Sequence, residues 1–104
     1  MNERAAAAAM DALGTELRLA IYRQLVRVGR QGLSITEIQQ RFGGIPRSTL
    51  AHHLHKLLQA GLITQQKDGA SVISRANYDV MDALVDYLTG ECCVGENRFE
   101  EGVA

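Results

Sequence analysis

The chain has 104 residues, 46% of them hydrophobic and 22% charged, with a formal net charge of −1, the profile of one small soluble globular domain. No apolar run approaches the ~20 residues that cross a bilayer, and the start of the chain lacks a basic-then-apolar signal layout, so the expected setting is the cytoplasm, away from any membrane. A domain of this size hides only about 60 to 68% of its unfolded surface, which leaves room for a partner subunit, and two adjacent cysteines cannot staple it as a disulfide framework.

Ala5 to Leu13 is alanine-rich, and Ala6, Met10, Leu13 and Leu17 recur at helical spacing, which predicts a first helix with a thin apolar stripe. A second helix starts near Thr15, with Leu17, Ala20, Ile21, Leu25 and Val28 on one face and the arginines largely elsewhere. Gly29 and Gly32 bracket its end. Ser34 and Glu37 have the spacing of a capping box, in which the hydroxyl takes the amide three residues on and the carboxylate reaches back. They open a short third helix to about Phe42.

Gly43 and Gly44 then supply a tight turn, and Pro46 is placed at the first position of a fourth helix, where its missing N–H costs nothing. That helix runs to about Ala60, with Gly61 as its cap. At 100° per residue Leu50, Leu54 and Leu57 gather on one side with Leu58 at the edge, while Ser48, Thr49, His52, His55 and Lys56 point away and His53 lies on the border. Leu62 to Gln66 and Ser71 to Arg75 read as two strands, with Asp68-Gly69 as a two-residue hairpin signal and Lys67 near the tip. After Asn77, which can cap, Met81, Leu84, Val85 and Leu88 define a last helix from Tyr78 to Leu88. Residues 1–93 are expected to form one folded domain, and 94–104 a flexible acidic tail.

The near-zero net charge hides a segregation. Between residues 18 and 75 nine Lys and Arg face two Asp and Glu, whereas the segments before and after carry net charges of −2 and −6. A basic middle between acidic ends suits a polyanion-binding face; the alternative is an ordinary solvated surface. Two short helices joined by a glycine turn and followed by a hairpin make a winged helix-turn-helix, mainly α with a small β-hairpin, whose second helix enters the major groove. On this reading Ser48, Thr49 and His52 reach base edges, while Arg47, His55, Lys56 and wing Lys67 complete the DNA-facing set. A winged helix used only for protein contacts is the competing reading.

The three histidines at 52, 53 and 55 do not make a metal site, because on a helix at most two could share an ion and no third ligand stands beside them. No phosphate-binding loop, nucleophile elbow or zinc-protease motif is present, so an enzyme is not expected. Cys92 and Cys93 are the remaining chemical signal. Neighbouring Cα atoms lie ~3.8 Å apart, below the usual disulfide range, so the pair is expected to stay reduced, and two such thiols can converge on one soft, thiophilic centre. Inert tail thiols are the alternative.

The chain resembles the ArsR/SmtB family of dimeric repressors over roughly residues 10–93. The resemblance is carried by Leu-Gly-Thr-Glu-Leu-Arg-Leu-Ala-Ile-Tyr at 13–22, Ser-Thr-Leu-Ala-His-His-Leu-His-Lys-Leu at 48–57, Ala-Gly-Leu-Ile at 60–63 and Leu-Thr-Gly-Glu-Cys-Cys at 88–93. It implies a homodimer built from the first and last helices that represses a resistance operon until a ligand binds. The last segment is similar to the arsenic-responsive branch, which implies trivalent arsenic or antimony at Cys92 and Cys93 as inducer and no permanent cofactor. Departures narrow this. Residues 35–42 hold no cysteine, position 74 is serine, no third cysteine follows Cys93, and the last helix has no histidine for zinc. Two thiols satisfy a methylated trivalent arsenical, whereas arsenite or antimonite would need a small thiol or water as third ligand. A redox- or reactive-sulfur-responsive repressor is the alternative function.

Overall fold

Helix starts are written in the short polar side chains. In the computed structural model, which describes residues 1–96, Asn2, Thr15, Ser34 and Asn77 each accept a hydrogen bond from a backbone N–H three residues on. These caps open α1 (Glu3–Ala12), α2 (Glu16–Val28), α3 (Ile35–Arg41) and α5 (Tyr78–Thr89). The capping box at α3 is complete: the Ser34 N–H donates to Glu37 Oε1 at 2.9 Å and the Glu37 N–H to Ser34 Oγ at 3.1 Å. Those bonds, the backbone one first, hold the Glu37 carboxyl below its ordinary value.

The turn into α4 (Arg47–Gln59) uses Gly43 and Gly44 in the left-handed region, at φ +69° and +76°. Gln39 braces it, accepting from the Gly44 N–H and donating its own side-chain amide to the Ile45 carbonyl. Pro46 sits one place earlier than the sequence suggested. At ψ 139° it is the extended residue before the helix rather than its first turn. At the far end the Leu62 N–H reaches the Leu57 carbonyl and the Gly61 N–H the Leu58 carbonyl, with Gly61 at φ +76°. This is a Schellman ending, and the buried Leu57 and Leu62 accompany it.

The wing is part of a three-stranded antiparallel sheet in the order β1-β3-β2, not an isolated two-stranded hairpin. β1 is only Leu33–Ser34 and pairs with Ser74 and Ile73 of β3 (Ser71–Ala76), while β2 (Ile63–Asp68) pairs along β3 from Ile63↔Ala76 to Asp68↔Ser71. Two residues show no alternation, and Ser34 also caps α3, so the short strand left no periodic trace. The hairpin turn is Gly69-Ala70, one residue later than Asp68-Gly69, with Gly69 at φ +62° in the first central position of a II′-type turn.

The core joins Ile21 and Leu25 of α2, Ile38 of α3, Leu50, Leu54 and Leu57 of α4 and Ile63 of β2. α1 closes it with Ala6, Ala9 and Ala12, while Met10 is 50% exposed. The expected stripe through Met10 is therefore rotated. In an alanine run neighbouring faces are equally apolar, and the close approach of α1 favours the small side chains. α5 buries Leu84 but leaves Val85 and Leu88 53% and 58% exposed. No helix among the described residues is long and apolar enough to cross a membrane. Of the expected tail at 94–104, residues 97–104 lie outside the described residues.

Candidate nucleic-acid interface and thiol site

The apolar side of α4 is fixed by the buried leucines at 50, 54 and 57, and this turns the opposite side to solvent. Arg47, Ser48, Thr49, His52, His55 and Lys56 are all exposed there. Alternation along the hairpin puts Ile63, Gln65 and Lys67 on one face of the sheet. Gln65 lines a 230 Å³ groove with Ala51, Leu54 and His55 of α4, so exposed Lys67 lies on the face that looks toward this helix. Lys56 sits on the other flank, in a groove with Asp11 of α1 and Gln59. His53 is half-buried and turns inward, 3.3 Å from Arg18 Nη1.

One feature of this face escaped sequence reasoning. α4 has no side-chain cap, unlike α1, α2, α3 and α5. Its first turn, with exposed Arg47, Ser48 and Thr49, has no side chain occupying the amide end, and a helix N-terminus with its positive dipole end suits a phosphate. The sequence signal was Pro46 in the cap position, which supplies neither hydroxyl nor carboxamide.

At the other end of the chain α5 stops at Thr89, and Gly90 leaves the helix at ψ 140°. Cys92 and Cys93 follow in a tight turn held by the Cys92 N–H on the Thr89 carbonyl and the Val94 N–H on the Glu91 carbonyl. Glu91 and Cys93 stand at φ +57° and +68°, a region that costs side-chain-bearing residues about 1 kcal/mol or more. Both thiols are free and exposed, with the sulfurs 2.9 Å apart. The contact with Cys92 pushes the Cys93 thiol above its ordinary value. Among the described residues no three His, Cys, Asp or Glu side chains gather closely enough to hold a metal ion.

A helix-turn-helix completed by a wing, with a polar face on its second helix, defines a DNA-binding regulator rather than an enzyme. The helix-turn-helix domain family matches residues 13–66, and the chain belongs to it. No curated protein matches the chain at the level of sequence. Among solved structures it is similar to an ArsR-like transcriptional regulator from Rhodococcus sp. RHA1, at 24% identity and TM-score 0.78, covering 94% of this chain and 89% of that one. HlyU from Vibrio cholerae N16961 matches at 25% identity and TM-score 0.69, over 89% of this chain and 99% of that one. A "possible transcriptional regulator for arsenical resistance" matches at 23% identity and TM-score 0.60, over 92% of this chain and 95% of that one. The fold is that of the ArsR-family regulators.

Proposed function

We propose that the protein is a cytoplasmic, homodimeric repressor that binds double-stranded operator DNA through α4 and the wing and is released when a trivalent arsenical bridges Cys92 and Cys93. The observation that carries the sensing step is the pair of exposed sulfurs 2.9 Å apart at the end of α5. The assembly is supported by Met10 of α1 and Val85, Tyr87 and Leu88 of α5, which are exposed apolar side chains on helices that touch each other. A second copy would cover them across a two-fold axis. Repression requires a face that grips DNA, and the face of α4 with Lys67 supplies base-reading hydroxyls and imidazoles together with phosphate-seeking cations.

The chemistry favours an arsenical with two exchangeable valences. Methylarsonous acid carries two hydroxyls and one methyl group; each hydroxyl leaves with a thiol proton as water, and two As–S bonds form. Arsenite or antimonite would keep a third position for a small thiol or water. Oxidation of the same two exposed thiols is the alternative trigger, and peroxide separates it from the arsenical one in the titration below.

The test is a release titration. A duplex selected by the protein from a random-sequence pool is bound, then challenged with methylarsenite, arsenite, antimonite, zinc and peroxide. Release by the trivalent arsenicals or antimonite at concentrations where zinc and peroxide do nothing is expected. Release by peroxide alone would overturn the arsenical reading in favour of the redox one.

A further inference from the structure

Arg18 ties three helices together. It stands in the first turn of α2, its Nε donates to the carbonyl oxygen of Ala12 at the end of α1 at 2.7 Å, and its Nη1 lies 3.3 Å from Nδ1 of His53 on α4. A guanidinium has donors and no acceptor, so Nδ1 of His53 must accept, and the ring is the neutral tautomer with its proton on Nε2. Burial, then the charges of Arg18 and of His52, hold His53 below its ordinary 6.5. On the α1 side, Asp11 lines the groove between α1 and α4 with Lys56.

We propose that Arg18 and His53 are positioning residues that set the reading helix against α1 and do so only while His53 is neutral. This rests on the DNA-binding reading above and adds to it a route between the two ends of the molecule. α1 carries part of the apolar surface assigned to dimerisation, α4 carries the groove-facing side chains, and the bridge is the polar link between them. A protonated His53 has no lone pair left at Nδ1 and adds a second positive charge beside the guanidinium, so the link opens. The sign follows from the lowered value: the contribution of the bridge is fully present above pH 6.5 and is lost as the pH falls through the folded value. The exposed His52 and His55 lie on the DNA-facing side of the same helix and are common to parent and variant, so they drop out of the comparison below.

The experiment compares the full-length parent with His53→Asn, whose side-chain oxygen stands near the place of Nδ1, accepts from Arg18 and does not titrate. Affinity for the pool-selected duplex is measured at constant salt at about pH 7.5 and about pH 5.5, the range in which histidines change charge. The parent is expected to lose about fivefold more affinity on acidification than the variant, an effect of the size of a modest coupling between sites. Equal pH dependence in the two proteins overturns the proposal. Absence of duplex binding by the parent at the higher pH would instead overturn the DNA-binding reading. Nitrogen NMR of the parent's His53 ring gives a second measurement that needs no variant: a bare Nδ1 and protonated Nε2 are expected at the higher pH, and a proton on Nδ1 overturns the bridge.

Discussion

A Cβ placed on Gly32 would stand 2.5 Å from the carbonyl oxygen of Ser74. The same atom would meet Arg75 Cγ at 2.7 Å and Ile73 Cγ2 at 2.8 Å, where β1 leaves the 3-10 turn at Gly29–Gln31 and joins β3. Gly32 also has φ +69° and ψ −171°, a conformation open to glycine almost alone. Gly29 makes a similar backbone demand, at φ +79° and ψ −156°, with nothing within 4 Å of its would-be Cβ. Gly29→Ala is expected to cost about 1 to 3 kcal/mol from conformation alone, and Gly32→Ala a further ~1 to 3 kcal/mol from the clash. Urea unfolding of the two variants checks this, and equal midpoints would show that the sheet edge yields freely.

Two tyrosines make a matched pair with opposite expectations. Tyr22 is 6% exposed, and its buried hydroxyl has no hydrogen-bond partner among the described residues, whereas the Tyr78 hydroxyl donates to the Val26 carbonyl at 3.1 Å. Burial first, then Tyr78 and Asp82, raise the Tyr22 phenol above its ordinary value. Removing an unsatisfied hydroxyl relieves a desolvation penalty, so Tyr22→Phe should gain up to about 1 kcal/mol. Tyr78→Phe should lose about 1 kcal/mol, because it breaks a formed bond and orphans a carbonyl. Thermal or urea unfolding gives both numbers, and a Tyr22→Phe loss as large as that of Tyr78→Phe would contradict the account.

On the DNA-binding reading Lys67 and the groove-facing side chains of α4 contribute in different ways. Lys67→Ala should weaken binding to all duplexes alike and flatten the salt dependence by about 1 to 2 units in a dimer, one phosphate contact per subunit. Thr49→Ala and His52→Ala should leave that slope nearly intact and narrow the gap between selected and random duplexes, by about 1 to 3 kcal/mol for a lost base contact. Binding isotherms across a salt series separate the two behaviours. An unchanged slope in the Lys67 variant would take the wing out of the interface.

Helix order, the α3–α4 turn and the polar face of α4 were legible because each is written locally, in caps, glycines and a leucine period. The features that were not legible depend on what comes near in space. Nothing in Leu33-Ser34 announces that it pairs with β3, and nothing in the alanine run of α1 says that Ala9 rather than Met10 faces the core. Arg18 looks like one more solvated arginine of the basic middle until the fold brings the end of α1 and His53 to its two sides. The thiols were conspicuous in sequence, but the left-handed backbone at Glu91 and Cys93 that sets the sulfurs together was not.

Cys92 and Cys93 stand just beyond α5, whose Val85 and Leu88 are exposed apolar side chains, and far along the chain from α4. On the proposed function the arsenical acts by favouring a dimer arrangement that fits the operator less well, and a tenfold loss of affinity needs ~1.4 kcal/mol of such coupling. The thiols themselves contact no DNA in this scheme. Serine at both positions should therefore leave affinity for the selected duplex within about twofold of the parent, since the groups that grip DNA are untouched. The same variant should not be released by methylarsenite or arsenite, and Cys92→Ser or Cys93→Ser alone should lose most of the response, because one sulfur cannot chelate. Release of the double-serine protein at the parent's arsenical concentration would place the sensor elsewhere in the chain.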